Sequence, residues 1–251
     1  MSRAFVTRLV WGAATLVTAI AAHAVPSPVA VYTFNDSFAS SVGGAPALTL
    51  TDPLGRSGFA TDTVFGNSVR VFNFVGTQAN EQQAGLTLNT SGLLPSDFYS
   101  VEIVFKFTER DNAWRRIVDV QNRQSDNGFY VDPANRLDIY PVAGGDAFTN
   151  NVYHDVFLVN DHGVVSFYLD GGPKTTVTTT VMTIDANNRM GFFLDNVVAG
   201  GQQEYSSGSV SLIRLYDQAL DAPPPPIPEP SVYALMMAGL GIVLVAARRR
   251  G

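Results

Sequence analysis

The chain has no cysteine, only three histidines and two tryptophans in 251 residues. Without cysteine no disulfide holds the fold and no thiol chemistry is available. Redox compartment therefore has to be read from other signals. The catalytic signatures are missing too: there is no G-x-S-x-G elbow, no H-E-x-x-H pair and no phosphate-binding glycine loop. Glycosidases of sandwich shape need two carboxylates facing each other across a cleft. The E-x-D-x-x-E run that would place alternate acids on one strand face does not occur: Glu102 and Glu109 are seven residues apart and Asp119 stands alone. The sequence thus predicts no catalytic residues and no paired-carboxylate cleft. Positive charge is scarce as well. Residues 25–228 hold 21 of the 22 acidic but only 11 of the 16 basic residues, a net charge of −10. Such a body excludes nucleic acid and anionic membrane surfaces as partners, and favours cations, neutral sugars or basic proteins.

Long apolar runs occur only at the two ends. Residues 1–24 have the anatomy of a secretory signal peptide: Arg3 and Arg8, an apolar stretch over 9–21, then Ala22-His23-Ala24 as an A-x-A cleavage site. Cleavage there removes Trp11 and His23, leaving Trp114, His154 and His162 to account for. At the other end, residues 231–247 are apolar apart from Ser231, Tyr233 and the glycines, and Arg248-Arg249-Arg250 follows. As a helix these 17 residues span roughly 26 Å, close to the roughly 30 Å hydrocarbon core, with snorkelling arginines covering the difference. The arginine cluster keeps that end cytoplasmic, so everything before Pro228 lies across the membrane.

Between the ends, short β-branched and aromatic runs alternate with turn residues, and no segment carries a helical period. Strands are predicted over 29–34, 69–74, 86–88, 101–107, 114–120, 129–131, 137–140, 152–159, 164–169, 175–183, 190–194 and 210–216. Residues 39–67 and 77–84 are predicted as loops. In 101–107, Val101, Ile103, Phe105 and Phe107 fall on one face and Glu102 and Lys106 on the other, the pattern of a half-buried antiparallel strand. Asn127-Gly128 is a hairpin signal. The threonine-rich 175–183 suits a sheet edge. The sum is an all-β, antiparallel jelly-roll β-sandwich over 25–221. Prolines 223–226 then favour a stiff polyproline II spacer within a linker over 222–230, ahead of a transmembrane helix and basic tail over 231–251.

Two resemblances follow from quoted motifs. Pro228-Glu229-Pro230-Ser231, the glycine-bearing apolar span and Arg248-Arg249-Arg250, in that order, resemble the PEP-CTERM sorting signal of Gram-negative bacteria. The resemblance implies an exosortase-type membrane peptidase as partner, transient anchoring across the inner membrane, and a destination at the cell surface or in an exopolysaccharide biofilm matrix. The second lies in the body. Tyr153-His154-Asp155-Val156 followed by Tyr168-Leu169-Asp170-Gly171, with Tyr32-Thr33-Phe34 opening and Ile213-Arg214-Leu215-Tyr216 closing, resembles the laminin-G-like, concanavalin-A-like pattern. Tyr153 replaces the usual tryptophan, Asp155 the second histidine, and Ser211-Leu212 a common acidic pair.

Candidate ligand residues divide into two chemistries. Turn pairs Asn35-Asp36, Asp111-Asn112, Asp126-Asn127 and Asp195-Asn196 supply the hard oxygens that Ca²⁺ takes, although each is also an ordinary turn signal. The family resemblance, with calcium held at the sandwich rim, singles out Asp36 and Asp195. Sugar binding needs aromatic faces, which Trp114, Tyr130 and Tyr140 would offer, with Tyr205 a further exposed tyrosine; Trp114 serves equally as a packing residue at a strand start. His154 is expected as a hydrogen-bonded histidine of the sandwich and His162 as a solvated turn residue. The function expected is an exported binding module for polysaccharide or a surface partner. A matrix protein without a ligand site is the alternative, and a glycoside hydrolase-like enzyme the third class.

Overall fold

A computed structural model describes residues 26–198 and 203–224. The expected signal peptide, most of the linker, the sorting motif and the transmembrane helix lie outside the described residues. Fifteen strands among the described residues form two antiparallel sheets packed face to face, the sandwich that alternating apolar strands demand.

The first sheet runs β13 (Thr175–Thr178), β12 (Val164–Leu169), β11 (His154–Asp161), β6 (Phe98–Phe107), β15 (Gly208–Tyr216), β4 (Asn67–Phe74) and β3 (Gly58–Val64). β1 (Ala30–Tyr32) also pairs with β15, through Ala30–Leu215 and Tyr32–Ile213. The second sheet runs β10 (Ala143–Ala147), β9 (Arg136–Tyr140), β8 (Gly128–Val131), β7 (Arg115–Asp119), β14 (Arg189–Phe192), β5 (Gly85–Asn89) and β2 (Thr49–Thr51). A 3-10 turn, Asn80–Gln82, precedes β5. Inward residues of both sheets meet in one core: Ile103, Phe105, Phe107 and Ile213 from the first face Leu86, Phe129, Ile139 and Phe192 from the second. Aromatic rings fill its centre, with Phe74 and Phe193 stacked at 4.1 Å and 7°.

Most predicted strands are present, and the threonine-rich strand does lie at a sheet edge. It is shorter than expected, because Val181, Met182 and Ile184 turn inward to the core. Four local expectations are corrected. Residues 39–67 contain β2 and β3, whose half-exposed, polar positions suit strands at sheet edges and hid their period. β10 is glycine-rich and showed no strand pattern. Asn127-Gly128 does not make a tight hairpin: Arg116 pairs with Tyr130, so residues 120–127 form a long loop. Finally, β6 is not half-solvated. Glu102 and Val104, on the face away from the core, are 4% and 6% exposed. A second layer of side chains covers that outer face.

Candidate functional site

That outer layer shapes a groove. On the first sheet the core takes Val101, Ile103 and Phe105, so Glu102 and Val104 rise from the opposite face. Register places Arg214 directly across from Glu102, and Asp155 across from Val104, diagonal to Glu102. A bulge in β15 between Val210 and Leu212 turns both Ser211 and Leu212 into the same space. These residues line a cavity of ≈ 680 Å³, with Phe65 and Arg70 at its wall. The volume falls inside the range of small-molecule sites. Phe65, at the β3–β4 turn with φ 48, is 61% exposed. A second cavity adjoins the first through Phe65 and Asp155, and is walled by Tyr153, Tyr168 and the departing Pro223 and Pro224.

The electrostatics are unusual for a surface groove. Arg214 donates from Nη1 to Glu102 Oε2 at 2.7 Å, both side chains being buried. Burial nevertheless pushes the Glu102 carboxyl up to about 7, against the pull of Arg214 and with help from Asp155. Burial, and then the neighbouring Asp170, push Asp155 up to about 6. Three buried atoms around this cavity have no hydrogen-bond partner: Arg70 Nε, Arg214 Nε and Asp155 Oδ1. An unmet buried donor or acceptor costs about 1–3 kcal/mol. Arg70, Asp155 and Arg214 line the groove beside an apolar strip of Val64, Val69, Val104 and Leu212, a lining that suits a molecule with hydroxyls on one side and C–H groups on the other. The expectation that no carboxylates would share a cleft is therefore corrected. Glu102 and Asp155 do share one, brought together by strand pairing across 53 positions, which no single-strand motif could reveal.

The predicted aromatic residues lie on the other sheet and do come together. Trp114 sits 5.1 Å from Tyr140 and 5.5 Å from Tyr130, edge-on to both. Trp114 and Tyr140 are half-buried. Tyr130 is not the exposed residue expected: it is fully buried, its ring beneath the Arg116 guanidinium at 4.6 Å and its hydroxyl donating to Asp126 O at 2.6 Å. Tyr205 is half-buried under Arg110 at 4.2 Å.

The two calcium candidates are already partnered. Asp36 (φ 53) pairs with Arg70, so its visible role is to hold an arginine of the groove wall. Asp195 is fully buried, and its carboxylate accepts the N–H groups of Asn196 at 2.7 Å and Glu204 at 3.1 Å. Among the described residues no three His, Asp or Glu side chains converge as metal ligands. His154 is buried, with Nδ1 2.7 Å from Asp170 Oδ2 and Nε2 3.0 Å from Thr149 O. It fixes β11 to the loops around it, as a histidine of the sandwich should. His162 is exposed in the β11–β12 turn and stacks on Phe98 at 5.0 Å.

Comparison with curated proteins finds no match. Among solved structures, the fourth domain of AbnA, a GH43 extracellular arabinanase from Geobacillus stearothermophilus in complex with arabinotriose, is similar over 77% of this chain and 94% of its own, with a TM-score of 0.58 and 18% identity. The binding domain of botulinum neurotoxin serotype D/C is similar over 78% of this chain and 50% of its own, with a TM-score of 0.51 and 9% identity. At these identities the likeness is one of fold. Residues 226–250 match the PEP-CTERM protein-sorting motif, which marks a chain for export and for processing at a C-terminal anchor. Residues 80–223 match the laminin-G-like model described as the concanavalin A-like lectin/glucanases superfamily. With more than half its length under that match and the jelly-roll sandwich to go with it, the chain belongs to the concanavalin A-like lectin/glucanase superfamily.

Proposed function

We propose that this chain is an exported, non-enzymatic binding module that holds a polysaccharide in the groove of its first sheet, at the cell surface or in the extracellular matrix. The observation that carries this reading is the groove of ≈ 680 Å³ in which Arg70, Arg214 and Asp155 stand beside an apolar strip. A saccharide ring offers hydroxyls that both donate and accept, and C–H faces for Leu212 and Phe65. The arabinotriose complex of the AbnA domain supports a glycan as ligand class for this sandwich. Glu102 spends an oxygen on Arg214 and is almost wholly buried, so it serves as floor charge; this favours binding over turnover by the carboxylate pair. The delivery route is the PEP-CTERM signal, read by an exosortase-type peptidase that removes the chain after roughly Pro230. Residues 25–221 form the binding domain and 222–230 its spacer.

The test is calorimetric titration of the full chain, in mild detergent, with exopolysaccharide isolated from the producing bacterium. Asp155→Ala removes a polar side chain from the groove lining and should weaken binding at least about tenfold, equivalent to about 1.4 kcal/mol. Wild-type affinity should survive a chelator, because Asp36 and Asp195 spend their carboxylates on protein donors. No heat from wild type would instead favour a structural matrix protein, and release of reducing ends would favour the hydrolase class. Protein recovered outside the cell should lack Arg248-Arg249-Arg250 by intact mass; their retention would rule out the sorting step.

A further inference from the structure

On the outer face of the second sheet, back to back with the groove, lies a cluster that the groove does not use. The core takes Phe129, Leu137 and Ile139, so Tyr130, Asp138 and Tyr140 point away from it. Trp114 leans on both tyrosines there, and Tyr130, locked beneath, keeps the two outer rings in place. Beside them Asp138 Oδ1 is buried without a partner. Burial, and then Asp132, push this carboxyl up to about 6. Across the ladder stands Gly144, where a Cβ would come within 3.1 Å of the Asp138 carboxylate; the edge strand thus puts no side chain over it. Arg136, largely exposed and tied to Asp132 at 3.1 Å, flanks the same face.

We propose that Trp114, Tyr140 and Asp138 form a second polysaccharide-binding site, so that one domain holds two glycan strands on opposite faces and cross-links them. This rests on the reading of the groove as a glycan site. The chemistry is the same in kind: a C–H face for the aromatic rings, with the partly exposed Asp138 and the exposed Arg136 beside them for hydroxyls. Sheets in a sandwich lie about 10 Å apart, with a side-chain layer beyond each, so a short glycan segment in one site cannot reach the other. Occupying both requires two strands or distant parts of one.

The experiment uses the full chain in mild detergent with the same exopolysaccharide. In a Trp11→Phe background Trp114 is the sole tryptophan, so its fluorescence reports this face directly. With the groove disabled by Asp155→Ala, added polymer should still shift Trp114 emission. Wild type should thicken the polymer solution and bind an immobilised polymer layer about 10²-fold more tightly than Trp114→Ala or Asp138→Ala, which lose the second contact. Both variants should keep groove binding by calorimetry, which shows that they fold. Unchanged Trp114 emission, or equal thickening by the variants, overturns the second site and leaves the groove standing. Absence of wild-type binding in any assay overturns both.

Discussion

Replacing Arg116 by alanine should remove about 3–5 kcal/mol of folding stability, read as a lower urea midpoint at pH 7. Its guanidinium is fully buried on the outer side of β7. Nη1 donates to Asp119 Oδ1 at 3.1 Å, Nη2 to Glu204 Oε2 at 3.2 Å, and Nε lies 3.9 Å from Asp195 Oδ1. The same group donates to the carbonyls of Ser125, Asp126 and Asn127 at 3.1–3.3 Å and to the Tyr130 hydroxyl. Truncation would take the closest cation from the buried Asp119 and Asp195 carboxylates, leaving Arg123 as their neighbouring positive charge, and would take this donor from the Ser125 and Asn127 carbonyls. Glu204 supplies the control. Burial and the adjacent Asp195 carboxylate push its carboxyl well above the usual range, which favours the protonated form. Glu204→Gln keeps that uncharged shape and should cost less than about 1 kcal/mol. An Arg116→Ala midpoint close to wild type would show that the loop 120–127 is held by something else.

The second large effect depends on pH. Arg214→Met leaves Glu102 buried without its partner, and should cost about 3–5 kcal/mol at pH 8. At pH 5.5 the loss should fall to about 1–2 kcal/mol, because Glu102 there is neutral with or without the arginine. The direction follows from its titration. In the folded protein Glu102 sits near 7 against an ordinary 4.5, so folding takes up a proton between those values. Its contribution is complete below about 4.5 and is lost as pH rises through 7. Asp155 and Asp138, both near 6, act in the same sense. Wild-type thermal midpoint should therefore climb from pH 8 to pH 5.5. A penalty for Arg214→Met that is equal at both pH values would mean that Glu102 stays ionised throughout.

How much of this was legible in the sequence depends on the range of the interaction. Apolar alternation over 101–107 and the β-branched and aromatic run over 164–169 mark strands directly, and the turn at His162-Gly163 takes positive φ at both residues, 50 and 85, as a tight hairpin needs. Edge strands β2, β3 and β10 were hidden, since solvent on one side and at the edge removes the pressure for alternation. The outer face of β6 departs from the half-solvated pattern because nothing local to Glu102 announces Arg214, 112 positions away. For the site, Trp114, Tyr130 and Tyr140 were chosen by residue type and do converge. Which tyrosine would be buried was set by Arg116 above it, an interaction made only after strand pairing. The groove was invisible for the same reason: Arg70, Asp155 and Arg214 lie on three strands and share no motif.

The position of β15 reaches beyond binding. This strand, the last among the described residues, lies in the middle of the first sheet, against β6 along its length and against β4 and β1 on its other side. No contiguous stretch shorter than almost the whole domain can close that sheet, and pairing Ala30 with Leu215 closes a loop of nearly the entire body. Topologies dominated by such distant pairings fold slowly. A chain threaded through a membrane from its N-terminus would have to keep that sheet open until residues 208–216 had crossed. Completion of the fold is thereby timed to the arrival of the segment that precedes the sorting motif.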